Sequence, residues 1–293
     1  MKSPLGLEAR LPVFELFKDS LFLLWAKRSR LVTMFLPIIV VLVVLERYVG
    51  EILQSFAEQT GSDVAGEFGG LSTEFWVLNL ISFLLSILLA TTVHRFTLQE
   101  QSQWPKNALR IPTPSDLRYM IRIIQVIVVT VLLGSMLLSV LFAIFPSLAA
   151  AVASVGAGGS MASMGLAPLV FLIVALAVFY LGARLSVTLP ELAIGTKGSS
   201  LVRSWRMSEG NGWRIVNVVL ILPFIVSYPF FHFMEEGSLV TTILASFGVY
   251  FMTIISTTVL SLSYQFLVEF YEPEENENVV PEAGPKDDSS LDA

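Results

Sequence analysis

The sequence predicts an all-α, polytopic integral membrane protein: a six-transmembrane-helix bundle with cytoplasmic amphipathic interfacial helices. The first observation is the composition, which is 54% hydrophobic and only 14% charged, whereas about a quarter of the residues of a soluble domain are charged. The second is the segment Ile123–Ala183, which contains no Asp, Glu, Lys or Arg. Since one membrane span needs about 20 apolar residues, this segment is long enough for two.

Each of six apolar segments is predicted to form one membrane-spanning helix. They are Leu31–Leu45, Phe75–Val93, Ile123–Phe145, Leu166–Ala183, Ile215–Met234 and Leu239–Val268. The first segment is short, so its helix is expected to continue through Glu46 and Arg47, whose long side chains reach the headgroups. The last segment is long, so its helix is expected to tilt or to project beyond the bilayer.

Each odd-numbered span is preceded by an amphipathic segment with basic residues, which is typical of a helix lying in the headgroup layer. Residues 1–30 form the first of these cytoplasmic segments; its apolar side chains recur at helical spacing and are Phe14, Phe17, Leu21, Leu24 and Trp25. The second begins at Pro114-Ser115-Asp116, and the third contains Leu201, Trp205 and Met207. Two interpretations stay open: a three-fold repeat of interfacial helix plus hairpin, or basic residues flanking cytoplasmic span ends.

The distribution of basic residues predicts the orientation, because Lys and Arg accumulate in cytoplasmic loops. Apart from Arg47, every Lys and Arg falls before the first span, between spans two and three, between spans four and five, or after the sixth. These segments lie on one side of a six-span bundle. Both termini of this multi-pass membrane protein are therefore predicted to be cytoplasmic.

The C-terminal tail, residues 269–293, is predicted to be disordered and cytoplasmic. It contains nine acidic residues against the single Lys286, a net charge of −8. Such a segment contains too little apolar surface to fold. Its charge suggests a protein partner with a basic cytoplasmic surface.

The loop between spans four and five is the most distinctive part of the sequence, RLSVTLPELAIGTKGSSLVRSWRMSEGNGWRI over Arg184–Ile215. A proline break at Leu189-Pro190 follows the span, and Trp and Arg residues suited to the interface follow the break. The candidate headgroup or partner site consists of Arg203, Trp205, Arg206, Trp213 and Arg214. The bland alternative is that these residues only anchor the loop at the membrane surface.

The same loop, with its Ser204-Trp205, Gly210-Asn211 and Trp213-Arg214 pairs, resembles a family of uncharacterised six-helix bacterial inner-membrane proteins. That family is related to the membrane domain fused to some glycerophosphodiester phosphodiesterases. In the fused proteins the chemistry belongs to a separate soluble barrel, which is absent from this sequence. The resemblance therefore implies an accessory, scaffolding or lipid-interacting role, and it implies no catalytic residue.

The sequence contains no residue pattern that predicts a catalytic site, a cofactor site or a metal site. His94 and His232 fall at opposite ends of their predicted spans, and neither has a His or Cys partner at ligand spacing. The run Gly158–Ala162 is a near miss to the G-x-S-x-G motif of serine hydrolases, and the small residues around it make a chance match easy. An intramembrane enzyme using Ser160 is therefore the weakest hypothesis.

A polar stripe on the sixth span gives the alternative function. Its members are Thr253, Thr257, Ser261 and Gln265, spaced four residues apart on one helix face. Such a stripe lines a transport pathway or, more often, lets helices approach closely. The sequence thus favours a non-enzymatic accessory, scaffold or lipid-interacting protein whose partners are membrane lipids and not nucleic acid. The alternative is a transporter or channel for a small or lipid-like substrate.

Overall fold

A computed structural model describes residues 10–60, 71–147, 150, 167–196, 199–232 and 238–271. Within these ranges the chain is helical and contains no strand, which confirms the predicted all-α class. The helices are α1 (Val13–Ala26), α2 (Arg28–Thr60), α3 (Thr73–Leu98), α4 (Pro114–Ile144), α5 (Ala167–Ser186), α6 (Leu189–Ala193), α7 (Leu201–Met207), α8 (Gly212–Val216), α9 (Leu222–His232) and α10 (Leu239–Tyr271). A short 3-10 turn, Gln101–Gln103, follows α3, and a π-helical turn, Asn217–Ile221, joins α8 to α9.

Among the described residues, six helical segments are long and apolar enough to cross a membrane, as predicted. They are Arg28–Phe56, Thr73–Leu98, Pro114–Ile144, Pro168–Ser186, Gly212–Phe231 and Val240–Phe270. The first span continues through Glu46 and Arg47 without a break, as expected from its short apolar run. The fifth consists of α8, the π-turn and α9, and Pro223 lies just beyond that turn. Because a proline ring disturbs the preceding helical turn, a local change of helix type there is expected.

The three amphipathic segments do not form three equivalent helices. The first is the separate helix α1, which buries Leu16 and Leu24 and leaves Phe14 and Trp25 exposed. The third is the separate short helix α7. For the second segment the structure favours the other interpretation, basic residues flanking a span end, because α4 runs unbroken from Pro114 into the third span. Proline is well tolerated in the first turn of a helix, and α4 contains no proline further along.

The sixth span, α10, lies at the centre of the bundle and contacts α1, α2, α3 and the fifth span. Half of its apolar window is buried, the largest buried share of any span. Gly248 of α10 lies against Phe230 of α9 so closely that a Cβ atom would clash with the phenylalanine side chain. The fourth helix instead packs mainly on α5, so these two form a hairpin beside the other spans.

One end of the bundle, here called the basic end, contains α1, the α3–α4 connection, α6 and α7. The buried residues of α3 all lie in its second half, from Ile87 to Phe96, which runs toward this end. Gly195 and Gly210 have φ angles of 91° and 77°, so they allow the tight turns that follow α6 and α7. Tight packing at the basic end holds the charged side chains described next.

Candidate functional site

A buried carboxylate organises the connection between α3 and α4 at the basic end. Asp116 is only 2% exposed and accepts hydrogen bonds from Arg110 Nη1 at 2.6 Å and Nη2 at 2.7 Å, and from Arg95 Nη2 at 3.1 Å. Its Oδ2 also accepts from the Thr113 N–H at 2.7 Å, in the reciprocal arrangement that caps a helix. Arg95 Nε donates to the Ala193 carbonyl at 2.8 Å, so the network also holds α6. Asp116 therefore pairs with both guanidiniums, which gives this network a structural role, while the buried Arg110 Nε has no partner among the described residues.

A hydrogen-bond relay through His94 connects spans two, three and six. The imidazole is fully buried, with Nδ1 2.7 Å from Ser261 Oγ and Nε2 3.1 Å from the Tyr119 hydroxyl. Ser261 Oγ donates its proton to the Thr257 carbonyl at 2.9 Å, so it accepts from Nδ1–H and leaves Nε2 to accept from Tyr119. Both ring nitrogens of this neutral tautomer are therefore satisfied. This arrangement fixes three spans against one another.

Arg184, at the end of α5, holds α7 in place. Its guanidinium lies 3.5 Å from the centre of the Trp205 ring and donates to the Trp205 carbonyl at 2.6 Å. Arg184 Nε also donates to Ser208 Oγ at 2.9 Å, and Ser204 Oγ donates back to the Arg184 carbonyl at 2.7 Å. A planar guanidinium suits such combined stacking and hydrogen bonding. No sequence pattern around Arg184 indicates this role, because its partners Ser204, Trp205 and Ser208 reach it only through the fold.

The predicted headgroup residues have unequal roles in the structure. Arg203 forms an ion pair with the buried Glu191 of α6, and Arg214 Nη1 donates to the Leu11 carbonyl at 2.8 Å. Trp213 is exposed on one side and lies beside Tyr180, while Trp205 covers Arg184. Arg206 is exposed on α7. The five residues therefore lie at the basic end together, but two of the three arginines already make internal contacts.

A cleft lined by two other arginines lies at the basic end between α4 and the segment that joins α6 to α7. We call it the arginine cleft; it is lined by Arg118, Ile121, Arg122, Gln125, Leu192, Thr196 and Ser199 and has a volume of about 280 Å³. Arg122 Nη2 donates to the Ser199 carbonyl at 2.9 Å, which fixes one wall. Arg118 is exposed and makes no hydrogen bond or ion pair with any described residue. The Ser199 hydroxyl is buried and also has no partner in the described part of the chain.

The arginine cleft combines cationic donors, an unpaired hydroxyl and apolar walls. None of the described residues that line the cleft is acidic, and the buried Glu191 of α6 is paired with Arg203. The cleft therefore keeps an excess positive charge and suits a small anion with an apolar substituent. The sequence signal was the spacing of Arg118 and Arg122, four residues apart on one helix face. The opposite wall, around Ser199, is brought there only by the fold.

The polar stripe of the sixth span lies in several different environments. Thr253 Oγ1 bonds to the Val249 carbonyl of its own helix at 2.9 Å, and Thr257 and Ser261 are buried. Gln265 is exposed and donates to Glu269. The middle of the stripe therefore faces neighbouring helices.

No group of three His, Asp or Glu side chains able to hold a metal ion occurs among the described residues. The near-miss hydrolase motif at Gly158–Ala162 and the acidic tail from Glu272 onward lie outside those residues.

The fold and this arrangement of charges define the class: a multi-pass, all-helical membrane protein with one strongly basic end. In the comparisons with known proteins, no family model, no curated protein and no solved structure matches the chain.

Proposed function

We propose that this protein is a non-enzymatic accessory or scaffold protein of the bacterial inner membrane that binds anionic lipid headgroups at its basic end. The arginine cleft supports this proposal, because Arg118 is exposed there and makes no hydrogen bond or ion pair with any described residue. Each basic residue near an anionic membrane surface contributes about 1 kcal/mol to binding. Arg118 and Arg122 together therefore provide a preference for anionic over neutral lipids.

The shape of the cleft suits a single headgroup. Its volume of about 280 Å³ is close to the lower limit of about 300 Å³ for small-ligand pockets. Above the cleft, the exposed side chains of Ile121, Val128 and Leu132 follow one another along α4. Acyl chains lying on this face would place the phosphate of the same lipid at Arg118. The cleft thus matches an amphipathic anion better than a soluble one.

The lipid proposal is tested by native mass spectrometry of the protein released from nanodiscs of phosphatidylcholine and phosphatidylglycerol. We expect the wild type to retain phosphatidylglycerol in preference to phosphatidylcholine, and Arg118→Ala/Arg122→Ala to lose most of that preference. Lys18→Ala/Arg28→Ala, which removes two exposed cations outside the cleft, is the charge-matched control. If the cleft variant and the control variant lose the preference for phosphatidylglycerol equally, the preference depends on net charge alone and the cleft is rejected as the site. Arg118→Ala alone tests the same point without disturbing the bond between Arg122 and Ser199.

The orientation is part of the same proposal: the basic end faces the cytoplasm, as the positive-inside rule predicts. The chain contains no cysteine, so single cysteines report their side of the membrane directly. Ser102, at the basic end, and Glu74, at the opposite end of α3, are both exposed. A membrane-impermeant maleimide applied to intact spheroplasts should label Glu74→Cys and leave Ser102→Cys unlabelled until the membrane is permeabilised. Labelling of Ser102→Cys but not Glu74→Cys in intact spheroplasts would contradict the proposal that the basic end faces the cytoplasm.

A scaffold role also requires a protein partner, and we propose that the acidic tail provides the contact. The tail has a net charge of −8, which is complementary to a basic surface on a partner. Deleting the residues from Glu272 onward should remove the partner proteins that co-purify with the full chain. Retention of every partner by the truncated chain would eliminate the tail as the contact.

Two further predictions from the sequence stay predictions. The first is membership of the six-helix family related to phosphodiesterase membrane domains. The second is transport of a small or lipid-like substrate along the stripe of α10. The burial of Thr257 and Ser261 gives a packing role to the middle of that stripe. Flux through liposomes containing the purified protein, abolished by bulky side chains along the stripe without unfolding, would favour transport over the accessory role.

A further inference from the structure

A second basic cleft lies at the same end of the bundle, on different helices. It is formed where the connection after α3 lies against the first turns of α2. We call it the Trp104 cleft; it has a volume of about 140 Å³ and is lined by Arg30, Thr33, Met34, Gln101, Trp104, Pro105 and Lys106. None of these residues lines the arginine cleft.

The wall of the Trp104 cleft is fixed in position by the fold. The indole Nε1 of Trp104 donates to the Gln99 carbonyl at 3.0 Å, and its ring packs on Phe96 with the ring centres 4.6 Å apart. A few residues further on, the Ala108 N–H donates to the Met34 carbonyl at 3.1 Å. Pro37 has no N–H to donate to the Thr33 carbonyl, so the connection docks beside a turn of α2 that lacks one helical hydrogen bond.

Positive charge is concentrated at the mouth of the cleft. Arg30 and Lys106 are both exposed, and neither forms a hydrogen bond or an ion pair with any described residue. Lys27 lies on the same side with its ammonium 4.5 Å from the centre of the Trp104 ring. The nearest acidic residue along the chain, Glu100, does not line the cleft. Two open cations beside an aromatic ring at the membrane interface are suited to a phosphate that has an apolar substituent.

We propose that the Trp104 cleft is a second phosphate-binding site that acts independently of the arginine cleft. Arg30 and Lys106 bind the phosphate oxygens, and Thr33 and Gln101 offer hydrogen bonds to the rest of the headgroup. The phosphate belongs either to an anionic phospholipid or to a soluble phosphate ester. This inference goes beyond the proposed function, because it holds even where the arginine cleft binds nothing.

The experiment counts bound lipids in nanodiscs of phosphatidylcholine with increasing phosphatidylglycerol, by native mass spectrometry of the full chain. We expect two phosphatidylglycerol molecules on the wild type, one on Arg30→Ala/Lys106→Ala, and one on Arg118→Ala/Arg122→Ala. Each basic residue contributes about 1 kcal/mol, so the loss of two should lower the affinity of the Trp104 cleft for phosphatidylglycerol about 30-fold relative to the wild type. Lys18→Ala/Arg28→Ala should retain both molecules. Thermal unfolding of each variant verifies that the exposed substitutions leave the bundle folded.

The outcomes separate the two proposals. If only Arg30→Ala/Lys106→Ala loses a lipid, the Trp104 cleft is supported and the arginine cleft is rejected. The Trp104 cleft is rejected as a phosphate site if two results are obtained together. Arg30→Ala/Lys106→Ala binds as many lipids as the wild type, and the variant and the wild type bind glycerol phosphate and inorganic phosphate equally. Competition by millimolar glycerol phosphate that is lost in the same variant supports the site and identifies a soluble phosphate ester as its ligand.

Discussion

The buried carboxylate of Asp116 gives the sharpest prediction about stability. Asp116→Asn keeps the shape of the side chain but removes the charge that Arg95 and Arg110 share. Removing one partner of a buried ion pair costs about 3–5 kcal/mol, because the other charges stay buried without compensation. The two arginines are 12% and 14% exposed, so water relieves part of this cost. We therefore expect the free energy of unfolding to fall by about 3 kcal/mol.

The measurement is equilibrium unfolding in mixed micelles at increasing mole fractions of sodium dodecyl sulfate, followed by circular dichroism. The matched control is Glu51→Gln, which breaks the ion pair with Arg47, whose two side chains are 53% and 54% exposed. An exposed pair of this kind contributes about 0–0.5 kcal/mol. If the unfolding free energies of Asp116→Asn and Glu51→Gln differ by less than about 0.5 kcal/mol, the network at the start of α4 does not stabilise the fold as described above.

Two further predictions concern the packing of the sixth span. Ser261→Ala removes the acceptor of His94 and should lower the unfolding free energy by about 0.6–1.7 kcal/mol, the usual range for hydrogen bonds between membrane helices. Thr253→Ala, whose hydroxyl bonds only within its own helix, should change the same quantity by less, and equal effects would contradict the relay. Gly248→Ala introduces a methyl group where there is no room, so it should cost about 1–3 kcal/mol. Gly50→Ala, in open space on α2, should be neutral or slightly stabilising, and a comparable loss there would show that steric overlap is not the cause.

Much of the fold could be predicted because it depends on local properties of the chain. Runs of apolar residues long enough to cross a bilayer define the six spans, and Pro114 marks the start of α4. The sequence left open whether the basic segment before the third span forms a helix of its own, since amphipathicity alone does not show whether a helix ends before the next one begins. Helix ends are determined by breakers and caps, and residues 117–144 contain neither a proline nor a stop signal of that kind.

The candidate site could be predicted only in part. The sequence predicted a headgroup site at the arginines of the loop after the fourth span, and these arginines do lie at the basic end. Which of these arginines make internal contacts depends on the fold. Arg214 donates to the Leu11 carbonyl, 203 positions away along the chain, and Arg203 forms an ion pair with Glu191 of α6. The open cations are instead Arg118 of the arginine cleft and the pair beside Trp104.

The class of this protein, the number of its spans and the concentration of basic residues at one end all follow from local features of the sequence. Hydropathy and charge decide these properties segment by segment, without reference to the rest of the chain. Which basic side chains make internal contacts and which are exposed to a ligand depends instead on how the helices pack. A guanidinium is satisfied by whatever carbonyl or carboxylate the packing brings within hydrogen-bond distance, and the partner of Arg122 is Ser199, 77 positions further along the chain.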